Sequence, residues 1–277
     1  MNKMIDDSTI DEKVFSFYLT DLQGSSYIDF GAPNTAVMSD VNDIIYIDII
    51  DDDAWWTNYV EGIRFGDLMN DVTEYALTRS TALTDTGTSC VIGPTQEISS
   101  IRNSILSIAT GVESDNYWGF TFPCDQIGDL PGFELLYGGY WMDVTAADLS
   151  IDIYSDGSMC SLCLSGYDIS YWILGDAFMR GWYNIHDHTE KRMGFVPFAG
   201  SVKSVPEVAT SVPTTPLPVV ADPVVPFMIF GLDGGEFFLI MTVAIVTTAI
   251  AVLIIEVFLC YSRYLGRKSA VAPGKSK

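Results

Sequence analysis

The sequence has few basic side chains and almost no histidine. Of its 277 residues, 14 are lysine or arginine, 36 are aspartate or glutamate and 2 are histidine, so the formal net charge is −22. A surface of that sign repels nucleic acid and anionic lipid, and we expect no nucleic-acid partner. Such a charge is best tolerated where carboxylates are partly protonated, as in an acidic compartment, although it also serves simple solubility.

Clusters of metal-ligating residues are also lacking. The five cysteines are Cys90, Cys124, the pair Cys160 and Cys163 in one C-x-x-C, and Cys260. A zinc site would need that pair together with His186 and His188, which alternate on a predicted strand. The segments that carry these residues are explained by a family resemblance, and we therefore expect no metal and no cofactor.

One long hydrophobic run stands near the C-terminus. Residues 237–255 are nineteen residues without a charge, which is enough for a helix to cross about 30 Å of hydrocarbon. Five basic residues follow the last acid, Glu256, so the positive-inside rule places the tail in the cytosol. We expect a single-pass helix over 236–260, a basic cytosolic tail over 261–277, and Cys260 as a candidate for palmitoylation.

The segments on either side of the main domain are distinctive. Residues 201–226 contain six prolines, so 201–235 is predicted to be an extended stalk. Residues 1–20 are acidic and lack the apolar stretch of a signal peptide. A luminal N-terminal domain would then need an upstream segment that is missing here, unless the C-terminal helix is itself the targeting signal.

Residues 1–200 have the period-two pattern of β-strands. Phe15, Phe17 and Leu19 alternate with more polar positions, and Ile45, Ile47 and Ile49 do the same. Turn signals recur about every ten residues, as in an all-β sandwich or barrel. One helix is predicted after residue 94, with Thr95 as its cap and the apolar face Ile98, Ile101, Ile105 and Ile108.

A motif within this β domain is specific. Residues 81–95, TALTDTGTSCVIGPT, place Asp-Thr-Gly-Thr-Ser between an apolar strand and a Gly-Pro-Thr helix start. This arrangement resembles the second active-site loop of pepsin-like aspartic proteases. Residues 172–195, with WILGDAFMRGWYN and RMGF, resemble the end of that family's chain. Together with similar segments at 14–19, 29–31, 55–67 and 124–131, the resemblance covers residues 13–198.

The resemblance implies a fold and a site. The fold is the C-terminal lobe of a bilobal β-barrel protease, here residues 1–200, with Asp85 as one of two catalytic carboxylates. Gly87 would allow the tight loop, and Thr88 would hydrogen-bond the Asp85 carboxylate. Thr86 would lock the loop to the other lobe, and Ser89 completes the loop. Gly175 would pack beneath it.

The resemblance also implies a disulfide between Cys124 and Cys163, which fits a luminal location, with Cys160 as a competitor for that bond. Cys90 stands where the family usually has an apolar residue. We interpret it as a small buried hydrophobe in preference to a redox thiol.

Three functions follow from this pattern. The first is an acid-active endopeptidase whose N-terminal lobe lies outside this chain, since the sequence has no second Asp-[Ser/Thr]-Gly. The second is a homodimer in which each copy supplies one aspartate, and membrane tethering would favour that pairing. The third is an inactive, membrane-anchored module that binds a peptide or partner. The expected substrate is a peptide or protein, and the expected membrane is endolysosomal, vacuolar or at the cell surface.

Overall fold

A computed structural model describes residues 2–20, 25–50, 55–65, 73–109 and 121–218. The chain divides into two compact units, Met1–Asp222 and Pro223–Lys277. The second unit, with the predicted membrane helix, the basic tail and Cys260, lies outside the described residues. Among the described residues, no helix has the length and apolar character needed to cross a membrane.

The described part of the chain is mostly β-structure, as the predicted all-β class requires. Its strands are β1 (Val14–Tyr18), β2 (Tyr27–Phe30), β3 (Ile45–Asp48), β4 (Thr57–Phe65), β5 (Thr73–Thr84), β6 (Val91–Pro94), β7 (Thr121–Pro123), β8 (Phe133–Tyr137), β9 (Tyr140–Val144), β10 (Ser150–Asp152), β11 (Met159–Leu162), β12 (Leu164–Tyr167), β13 (Trp172–Leu174), β14 (Trp182–Asp187), β15 (Arg192–Pro197) and β16 (Glu207–Val208). The α-helices are α1 (Asn2–Asp6), α2 (Thr95–Ile108), α3 (Ala146–Leu149) and α4 (Asp176–Met179), and 3-10 turns span Thr35–Val37, Val41–Asp43 and Cys124–Asp129.

The strands form three sheets. A five-stranded antiparallel sheet has the order β2-β1-β14-β15-β3, and a three-stranded sheet has the order β10-β11-β7. The largest sheet has the order β12-β6-β13-β5-β4-β8-β9-β16, and within it β13 runs parallel to β5 while β12 runs parallel to β6. Parallel pairing brings the ends of β5 and β13 to the same edge, where Asp85 and Gly175 follow them.

Helix α2 packs its isoleucines into the core, as predicted. Ile98, Ile101 and Ile105 are fully buried in the main hydrophobic cluster, and the side chain of Ile108 lies outside the described part. The helix begins one residue earlier than expected, because Pro94 holds the cap position without a side-chain hydrogen bond and Thr95 is the first helical residue. The predicted capping role of Thr95 is therefore wrong, since proline here supplies a fixed φ instead.

The folded unit extends further than the boundary predicted at residue 200. Residues 201–218 pack on the domain, whereas the sequence assigned them to the stalk. Strand β16 pairs with β9, and Pro213 lies against Gly62 of β4. The N–H of Ala76 in β5 donates a hydrogen bond to the Thr215 carbonyl, and the Ala76 carbonyl accepts one from the Leu217 N–H. We call residues 201–218 the strap, and the remaining stalk residues lie outside the described part.

Candidate active site

Asp85 follows directly on β5 and is tied to the end of β13. Its backbone N–H donates to the carbonyl of Leu174 over 3.1 Å. The preceding residue, Thr84, is buried, and its hydroxyl lies 3.1 Å from the hydroxyl of Tyr137 in the core. Burial raises the pKa of Tyr137 to about 12, although Thr84 opposes that shift. Tyr137 is therefore a neutral hydroxyl that anchors β5 beneath the loop.

The Asp85 carboxylate receives two hydrogen bonds from its own loop. The Gly87 N–H donates to Oδ1 over 2.9 Å, and the Thr88 hydroxyl donates to Oδ2 over 2.7 Å. The Thr88 N–H also donates to the Asp85 carbonyl over 3.2 Å. Hydrogen bonds to both oxygens fix the plane of a carboxylate, so Asp85 is held in one orientation while it stays half-buried. Thr86 and Ser89 are exposed, and the partner assigned to Thr86 stays a prediction.

The backbone after β13 supports the loop from below. The Asp176 N–H donates to the Thr88 carbonyl, the Ala177 N–H to the Ser89 carbonyl and the Gly175 N–H to the Cys90 carbonyl, at 2.8, 2.9 and 3.2 Å. A Cβ atom at Gly175 would overlap the Thr88 carbonyl and lie 2.6 Å from the Cys90 oxygen. Only glycine allows the two backbone segments to approach this closely.

The site contains a second acid that sequence reasoning missed. Asp176 begins α4 and is half-buried next to the loop. Burial raises the pKa of its carboxyl, Arg180 lowers it, and the negative charge of Asp85 raises it again. In the sequence, Asp176 directly follows the apolar run Trp172-Ile-Leu-Gly175, which could have indicated an acid at the end of a buried strand. Sequence analysis treated it only as part of a family motif.

The predicted disulfide between Cys124 and Cys163 is wrong. Cys163 bonds Cys90, and Cys124 bonds Cys160. The register explains this, because Cys160 of β11 lies opposite Phe122 of β7, close to Cys124, whereas Cys163 lies beside β6. Cys90 is consequently a disulfide partner and not the isolated buried hydrophobe that we expected. Neither cysteine of the C-x-x-C pair is a free thiol for a metal.

The two histidines do not lie together. His186 belongs to β14 and is buried among Phe15, Phe17 and Trp56, with its ring stacked 4.7 Å from that of Phe15. His188 follows the end of the strand and is exposed, so the prediction that both histidines lie on one strand is wrong. Within the described ranges, no group of three or more His, Cys, Asp or Glu residues is placed to hold a metal ion.

The Asp-Thr-Gly loop at the edge formed by β5 and β13, with helix α2 after it, is the arrangement that the resemblance to aspartic proteases predicts. A family model described as "Eukaryotic aspartyl protease" matches residues 1–198, and the chain belongs to that family.

Curated relatives agree with this assignment. Gastricsin of Oryctolagus cuniculus is 28% identical over 211 residues, covering 71% of this chain and 49% of that protein. An aspartic protease of Phaffia rhodozyma is 30% identical over 197 residues, covering 69% and 45%. Human cathepsin D is 24% identical over 209 residues, covering 72% and 47%. This chain therefore spans about half the length of the curated relatives that it matches.

Proposed function

We propose that this chain supplies Asp85 as one of the two carboxylates of an aspartic-type endopeptidase that acts at acid pH. The observation that carries the proposal is the loop geometry, in which the Gly87 N–H and the Thr88 hydroxyl hold a half-exposed carboxylate at the strand edge. The expected substrate is a peptide or protein, and the chemistry needs no cofactor.

The reaction needs a second carboxylate close to the first. Two carboxylates about 3 Å apart share one proton, because they cannot both ionise at that distance. The ionised group then takes a proton from water, while the protonated group polarises the scissile carbonyl. We assign the second group to an N-terminal lobe or to a second copy of this chain.

An exposed apolar strand edge supports the need for such a partner. Among the described strands, β2 is an edge of the five-stranded sheet, and Tyr27, Ile28 and Phe30 are 38%, 47% and 52% exposed. Unpaired edges with apolar side chains are normally covered by another chain or domain. The same edge is also what favours the alternative function, an inactive membrane-anchored module that binds a peptide or partner.

We further propose that this domain lies in a lumen or outside the cell, tethered by a single helix over 236–260 with residues 261–277 in the cytosol. The two disulfides support an oxidising compartment. The uncharged run of residues 237–255 supports the tether, and the net charge of −22 supports an acidic endolysosomal or vacuolar compartment, or the cell surface.

The test is acid proteolysis by the full chain, purified in its native assembly, before and after Asp85→Asn. Loss of the ionisable group should lower kcat by about 100-fold or more. Asp156→Asn is the matched control, since Asp156 also lies in a turn with a glycine but is exposed on another loop. Unchanged cleavage by Asp85→Asn would refute the proposal, whereas peptide binding without cleavage in the wild type would favour the inactive module.

A further inference from the structure

The disulfide between Cys90 and Cys163 is attached to the catalytic loop itself. Cys90 follows Asp85 by five residues and Thr88 by two, and its sulfur is bonded across 73 residues of sequence to Cys163. Sequence analysis assigned neither Cys90 nor Cys163 to the site. The bond therefore adds a covalent tie at the end of the segment that shapes the Asp85 carboxylate.

The disulfide adds a covalent link to the backbone hydrogen bonds that already hold this segment. The carbonyls of Thr88, Ser89 and Cys90 are all taken by N–H groups of residues 175–177. The side chain of Cys90 points instead to Cys163, which is only 3% exposed. Residues 88–90 are thus held both by hydrogen bonds to their carbonyls and by a disulfide at Cys90.

Cys163 is itself a firm attachment point. Its N–H donates to the Leu149 carbonyl over 2.6 Å, and its carbonyl accepts from the Val91 N–H over 2.9 Å. It joins β11 to β12, so the bridge connects the catalytic loop to two sheets. A cross-link to such a buried, hydrogen-bonded corner removes freedom from the loop that hydrogen bonds alone would leave.

The second disulfide provides a contrast within the same protein. Cys124 and Cys160 join the 3-10 turn Cys124–Asp129 to β11, across 36 residues of sequence. Neither residue is bonded to the loop 85–90. The two bridges share β11 and its flank, but only one of them is attached to the segment that carries Asp85.

We propose that the Cys90–Cys163 disulfide is a positioning element for catalysis. It keeps residues 85–90 in the one conformation in which the Gly87 N–H and the Thr88 hydroxyl both donate to Asp85. The two cysteines are positioning residues because they act through the loop and do not touch the reacting atoms. The catalytic consequence rests on the proposed function, while the effect on the loop does not.

The first arm of the test measures the loop without any need for activity. The full chain is labelled with ¹⁵N-glycine, and the Gly87 amide resonance and its hydrogen exchange are compared in two double variants. Cys90→Ala with Cys163→Ala should shift the resonance and speed its exchange by about tenfold or more. Cys124→Ala with Cys160→Ala should leave both unchanged, although it also removes a disulfide.

The second arm measures kcat and KM of the same variants in the native assembly. Removal of the Cys90–Cys163 disulfide should lower kcat by about tenfold with little change in KM. The reason is that Asp85 loses its fixed orientation while the contacts with substrate remain. If the alanine variant does not fold, Cys90→Val with Cys163→Ala restores apolar volume without the bond. An unmoved Gly87 resonance, or equal effects of the two disulfides, overturns the proposal. A Gly87 shift without any proteolysis in the wild type refutes the proposed function alone.

Discussion

At the scale of single residues, His186 is an imidazole that the fold buries in its neutral form. Burial lowers its pKa from 6.5 to about 4, and the backbone at Asn184 offsets this only in part. Within the described part of the chain, its Nδ1 atom has no hydrogen-bond partner. The aromatic rings of Phe15, Phe17 and Trp56 enclose the imidazole, so the folded state holds it neutral.

Replacement of this histidine should change how the free energy of unfolding depends on pH. The unfolded chain takes up a proton near pH 6.5, whereas the folded chain resists until about pH 4. Wild-type stability should therefore fall as the pH drops between those values, by about 3 kcal/mol. His186→Phe should remove that part of the fall in urea unfolding at pH 7 and pH 4. His188→Phe controls for losing an imidazole from the surface, and the same pH dependence in His186→Phe would contradict this account.

Residue patterns predicted the loop better than they predicted its surroundings. Asp85, Gly87 and Thr88 form a local motif, so their hydrogen bonds follow from a few consecutive residues. The cysteine pairing depends on strand register. Only two residues separate Cys160 from Cys163, so from sequence alone either could reach Cys124. The pairing of strands that are far apart in the sequence is a long-range property, and the local spacing of the cysteines does not determine it.

At the scale of elements, the strap shows why the predicted stalk boundary was too early. Its prolines exclude helix and central strand, as expected, but extended chain can still pack on a sheet. Lys203 makes the first attachment, since its side chain is buried and its Nζ lies 2.7 Å from Asp148 Oδ2 and from the Asp143 carbonyl. Glu207 makes another attachment, to Arg64, which also pairs with Glu134.

Removal of the buried cation should destabilise the strap and the domain together. Burial lowers the pKa of Lys203, while Asp148 raises it, so the pair keeps its charges only with both partners present. Lys203→Ala leaves the Asp148 carboxylate buried without its ion-pair partner and should cost about 3–5 kcal/mol of unfolding free energy.

Lys3→Ala is the control for this change, because the Lys3–Asp7 pair lies on the surface with the lysine side chain 85% exposed. Chemical unfolding of both variants measures the difference. Equal stability of Lys203→Ala and Lys3→Ala would show that the strap is not held by this buried pair.

At the scale of the whole molecule, the proposed function makes the Asp85 loop one half of a two-carboxylate site. The motifs of residues 13–198 made the family and the mostly β fold predictable from sequence, and the family match over residues 1–198 confirms the family. The half-buried acid Asp176 and the disulfide at Cys90 were not predictable in the same way, because each depends on which distant segments meet beneath the loop. The central claim is that the active site forms only when a second carboxylate joins Asp85.

The most direct measurement of that claim is native mass spectrometry with pepstatin, an inhibitor of aspartic proteases. We predict that the inhibitor binds only species heavier than the 30.5 kDa chain, in which a second lobe or a second copy is present. Asp85→Asn should abolish that binding. Stoichiometric pepstatin binding to an isolated 30.5 kDa chain would contradict the account, because a single lobe would then hold a complete site.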